Sequence, residues 1–122
     1  MEPVMMSPAR LAQTAAAAFE EVMAAQGRPK AIIRHVADTA RERAEDALAE
    51  QAEVPAADAF CTALNEVSRH VRVLLEEAGY LGGTVTMIRD AAHRLGNQVC
   101  GNGDAGHSGF LREARRVVRP ER

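Results

Sequence analysis

The run CGNGDAGHSGF, residues 100–110, holds Gly101 and Gly106 five positions apart, followed directly by His107 and Ser108. A phosphate-binding loop has this spacing, with lysine where His107 stands. In such a loop a strand delivers a glycine-rich turn whose N–H groups cradle phosphates. The lysine neutralises charge, and the hydroxyl reaches magnesium. Here the preceding stretch MIRDAAHRLGNQV has helical periodicity, the lysine is absent, and no apolar strand ending in Asp occurs elsewhere. Ser108 suits a helix N-cap without any ligand. The run therefore reads as a joint between two helices.

Cys100 and His107 supply two metal ligands, where a zinc site needs three or four that converge. They lie on a segment with five glycines between Gly96 and Gly109. Such a loop does not hold His107 in place as the base that would activate Cys100 as a nucleophile. At about 100° per residue, His35 points roughly 150° from the apolar face of its helix, and His93 points similarly away on a later one. Asp90 and His93 have an i, i+3 spacing used in di-iron bundles, but this places them toward solvent, and such sites need several inward glutamates. His70, one turn after Glu66, sits on the shoulder of an apolar face and is the candidate for lining an inter-helix groove. Cys61 lies next to an apolar stripe and is expected as a small core residue. Neither metal nor any other cofactor is expected.

The C-terminal segment is the strongest candidate for an interaction. From Ser108 onward, five arginines against two glutamates leave a charge of +3, so the preceding 107 residues carry −5 of the chain's net −2. Arg112, Arg115, Arg116 and Arg119 share one helical face, opposite Phe110, Ala114, Val117 and Val118. Basic residues favour a helix C-terminus and solvate its outer face. The same stripe suits docking on an acidic surface, either the segment around Glu42, Glu45 and Asp46 or an external partner. It also suits phosphate contacts, but the net charge of the chain gives nucleic acid no general attraction. A helix-turn-helix signal at Ala92 and Gly96 fails, because NQVCGNGDAG does not read as a recognition helix.

The elements that would position these residues are all helical. The chain has 122 residues, no Trp, one Tyr and three Phe, and alanine supplies much of its apolar content. Alanine stripes let helices approach toward the short end of the usual interaxial range of about 8–10 Å. Ser7-Pro8 reads as an N-cap with proline in the first turn, and Gly27 as the stop. Pro29 and Pro55 open the next two runs, and Gly79 closes the third. Thr84 is expected to cap a fourth helix ending at Gly96, so that every glycine lies outside a helix.

Apolar spacings agree with these limits. Leu11, Ala15, Ala18, Phe19 and Val22 share a face of the first helix. Ile33, Val36, Ala40, Ala44 and Ala47 share a face of the second, opposite Asp38, Arg41, Glu42 and Glu45. Phe60, Leu64, Val67, Val71, Leu74 and Ala78 form the strongest stripe. Ile88, Ala92, Leu95 and Val99 continue the pattern. GGTVTMI is the only strand candidate, and its continuation is helical.

The segments LNEVSRHVRVLLEEA, AAHRLGN and GHSGFLREARRVVR resemble a family of small uncharacterised helical proteins of Streptomyces-type actinobacteria, labelled as associated with natural product biosynthesis. The likeness spans Leu64 to Arg119. It implies a helical fold and a genomic neighbourhood, and carries no catalytic residue.

These readings predict an all-α chain, a single helical domain over 1–122. The expected architecture is an antiparallel four-helix bundle with an additional short C-terminal helix after a Gly-rich loop at 97–107, and an N-terminal tail at 1–7. The leading function is a non-enzymatic accessory or protein–protein interaction module, with an unknown protein partner or a second copy in a homodimer. The alternatives are a small nucleic-acid-binding regulator using the C-terminal arginines, and a ligand-binding or enzymatic bundle with a groove at Glu66 and His70. Two cysteines, no secretory leader in MEPVMMSPAR and no membrane-spanning run predict a cytoplasmic location.

Two outcomes follow. ATP or GTP should leave the melting temperature unchanged, whereas a saturable rise abolished by Ser108→Ala would establish a nucleotide site. Replacing Arg112, Arg115, Arg116 and Arg119 together with glutamine should change unfolding free energy by less than about 1 kcal/mol if they form an outer face. A larger loss that added salt reproduces in the unaltered protein would show that they dock on its own acidic surface.

Overall fold

The computed structural model describes residues 4–101, with side-chain surroundings through residue 96. The expected C-terminal helix with its arginine stripe, together with His107 and Ser108, lies outside the described residues. Within them the chain runs through β1 (Met5–Met6), a 3-10 turn (Pro8–Leu11), α1 (Ala12–Ala25), α2 (Lys30–Leu48), β2 (Val54–Pro55), α3 (Ala56–Glu77) and α4 (Gly82–Gly101). The expected helical character holds, with one small addition. β1 and β2 form a two-stranded antiparallel ladder, Met5 opposite Pro55 and Met6 opposite Val54. Strands this short carry no readable alternation, and the pairing joins segments about fifty residues apart. Residues 5 and 6 are thus paired strand, not tail.

Local rules account for most of the boundaries. Pro29 and Pro55 stand at the N-cap positions of α2 and α3, with extended backbone and no N–H that would need a partner. Ser7 precedes the 3-10 turn and makes no side-chain cap; its carbonyl accepts from the Arg10 N–H at 3.1 Å. The expected Ser-Pro start therefore opens a tighter turn, and α1 follows it. α1 and α3 end alike. Gly27 and Gly79 have φ of +75° and +96°. The N–H after each glycine returns to a carbonyl five residues back, Arg28 to Met23 and Tyr80 to Leu75, both at 3.0 Å. These paired returns cap the last carbonyls of each helix.

The two capped ends meet, because the Arg28 guanidinium lies 5.4 Å from the centre of the Tyr80 ring. At their other ends, the lead-in to α1 and the start of α3 are tied by the β1–β2 ladder and by the Ala56 N–H donating to the Val4 carbonyl at 2.8 Å. α1 and α3 consequently run in the same direction, fastened at both ends. α1 packs on α2, α3 and α4, and α3 packs on α1, α2 and α4, while among the described residues α2 and α4 share no comparable contact.

α1 is buried on nearly every side. Ala12, Ala15, Ala16, Ala17, Ala18, Phe19, Val22 and Met23 all lie in the core. A helix apolar over most of its circumference, with Gln13 and Glu20 on the remaining side, is what a position among three neighbours requires. The expected face included Ala15 and Ala18 but not Ala16 and Ala17, because a single-stripe reading assumes one neighbouring surface. On α2, Val36, Ala40 and Ala44 are buried as expected, joined by Ala37 and Leu48; Ala47 is exposed. On α3 the stripe from Phe60 to Leu74 is buried, and Ala78, at the C-cap, is exposed.

α4 departs most from expectation. It begins at Gly82, includes Thr84 as an interior residue and passes through Gly96 to Gly101. The break expected at Gly96 is absent, and residues 97–101 extend α4 where a loop was expected. Gly96 is buried against α3: a Cβ placed there would stand 3.0 Å from Phe60 Cε2 and 3.1 Å from Leu64 Cδ2. The glycine serves close helix packing, so its lower helix propensity is offset by the contact it permits.

Gly96→Ala should therefore destabilise the protein. Relief of about 1 kcal/mol in helix propensity is set against about 1–3 kcal/mol for overpacking the buried Phe60 ring. Gly82→Ala, with no atom within 4 Å of its added Cβ, should be neutral or stabilising by up to about 1 kcal/mol. Urea melts of both variants check this, and equal effects would remove the packing explanation.

Candidate functional site

On α3 the expected Glu66–His70 pair is present. Spacing of one helical turn brings His70 Nε2 to 3.0 Å from Glu66 Oε2, and Arg69 Nη2 approaches the same oxygen at 3.8 Å. The side chains of His70 and Glu66 are 20% and 18% exposed, while Arg69 reaches into solvent. The carboxylate orients the imidazole, which is two parts of a general-base arrangement. A third group for it to activate would have to converge on Nδ1 or be supplied by a ligand. Among the described residues no group of three or more His, Cys, Asp and Glu side chains is placed to hold a metal ion.

Cys61 is exposed, contrary to the expectation of a core residue. One residue beyond Phe60 is about 100° around the helix, which carries it past the covered arc. Its sulfur instead lies 3.9 Å from Asn65 Nδ2, also exposed. His35 is exposed as expected. Cys100 belongs to the last turn of α4, where side chains are outside the described set.

His93 also differs from its expected solvent position. It is half-buried, and its Nε2 is enclosed with no hydrogen-bond partner among the described residues. Burial, and then the positive charge of Arg89, lower its pKa from the ordinary value of 6.5, with Asp90 opposing. Asp90 is exposed and accepts from the Arg89 guanidinium at 3.1 and 3.2 Å. Gly96, one turn after His93, is itself buried, so the covered arc of α4 is wider than its apolar residues alone define.

Two features were not legible as sites. A groove between α1 and α2 comprises two adjoining cavities of about 150 and 330 Å³ that share Glu20 and Asp38. Alanines from both helices form its floor, including Ala16, Ala17 and Ala37, and Arg34 and Lys30 stand along one rim. Both signs of charge are represented along it. At its edge Arg41 pairs with Glu45 at 2.7 Å and approaches Glu42 at 3.8 Å, which engages part of the acidic surface proposed for the arginine stripe.

The second feature is apolar. Leu81 is 79% exposed and Met87 51% exposed, and Val73 on α3 is at the margin of exposure. Gly79 turns the chain so that Tyr80 packs back on the core and beneath Arg28. The following residue, Leu81, is thereby directed outward. Among the described residues no helix is long and apolar enough to cross a membrane.

His93 generates a pH prediction. Its folded pKa lies below the unfolded value, so the unfolded chain takes up a proton first. The stability associated with neutral His93 is present above about pH 6.5 and is lost as pH falls toward the lowered folded pKa. His93→Leu should reduce the acid sensitivity of the melting temperature between about pH 7.5 and about pH 5. Identical pH profiles for the variant and the unaltered protein would show that His93 makes no contribution.

Comparison of the chain with protein-family models, with curated proteins and with solved structures finds no match in any of the three.

Proposed function

We propose that this chain is an antiparallel four-helix bundle that works as a non-enzymatic protein–protein interaction module. Support for the bundle comes from the connections. α1 and α3 run in one direction, and the short segments 26–29 and 78–81 leave little chain for anything but reversal into α2 and α4. The observation that carries the functional reading is the exposure of Leu81, in the α3–α4 connection, and of Met87, in the second turn of α4. The core has taken in most large apolar side chains of the helices, yet a leucine and a methionine in this short stretch stay in water. Exposed apolar side chains become a partner surface where one partner covers them together, and methionine adapts its shape to different contacts. The partner is a protein presenting an apolar surface, a second copy of this chain included.

The test is the double variant Leu81→Ser with Met87→Gln in the full chain. Its urea-melt stability should remain within about 1 kcal/mol of the unaltered protein, as expected for surface positions. Association, read by sedimentation velocity over a range of concentrations and by cross-linking in native extracts, should be lost. Association that survives this change but disappears when the four arginines at 112, 115, 116 and 119 become glutamine would move the interface to the C-terminal segment and overturn the assignment.

A further inference from the structure

We draw no further inference here: the strongest candidate, the mixed-charge groove between α1 and α2 that Glu20, Asp38 and Arg34 line above an alanine floor, carries nothing because nothing in the structure shows what covers it.

Discussion

The burial of α1 among three other helices is the constraint on which the rest of the structure depends. Ala15 to Ala18 lie in the core one after another, and only a side chain this small lets neighbours approach from several directions at once. Close approach has an energetic consequence. A buried alanine removes roughly one carbon from water, about 0.8 kcal/mol, against about 1.5–3 kcal/mol for a large aliphatic or aromatic side chain. Stability therefore concentrates in a few positions, with Phe19 and Met23 on α1, Val67 and Leu75 on α3 and Ile88 on α4 among the fully enclosed ones. The dense contacts of alanine-lined helices contribute the remainder through dispersion.

Fastening α1 and α3 at both ends complements that packing. The ladder at one end and the Arg28–Tyr80 contact at the other restrict sliding of α3 along α1, whose alanine-rich surface offers few interlocking ridges. A cation over an aromatic face contributes about 0.5–2 kcal/mol depending on desolvation. The same arrangement organises the surface. Tyr80 is held inward by its two partners, the core and Arg28, and the chain immediately beyond it emerges as Leu81. The outward placement of Leu81 thus follows from how α3 is capped.

Glycine and histidine on α4 illustrate two consequences of close packing. Gly96 admits Phe60 and Leu64 to the helix surface. One turn earlier the Nε2 of His93 is enclosed, and burial disfavours the charged imidazole. The Glu66–His70 pair needs no such tertiary help, since helical spacing alone brings its atoms together.

The sequence by itself determined the helical class and the greater part of the apolar stripes, although Ala47 and Ala78 stand exposed and Val99 lies outside the residues with described side chains. It also determined the stops at Gly27 and Gly79, the starts after Pro29 and Pro55, and the Glu66–His70 pairing. Each of these rests on periodicity, backbone stereochemistry or contacts within one turn, which act locally. Tertiary structure decided what depends on how many neighbours a helix has and how near they come. It buried Ala16 and Ala17 by surrounding α1, left Cys61 in water, carried α4 through Gly96, covered His93, and paired β1 with a segment about fifty residues away. Glycine shows the physical reason most clearly. At position 27 its positive φ ends a helix, whereas at position 96 its missing side chain lets a second helix approach, and only the partner surface distinguishes the two uses.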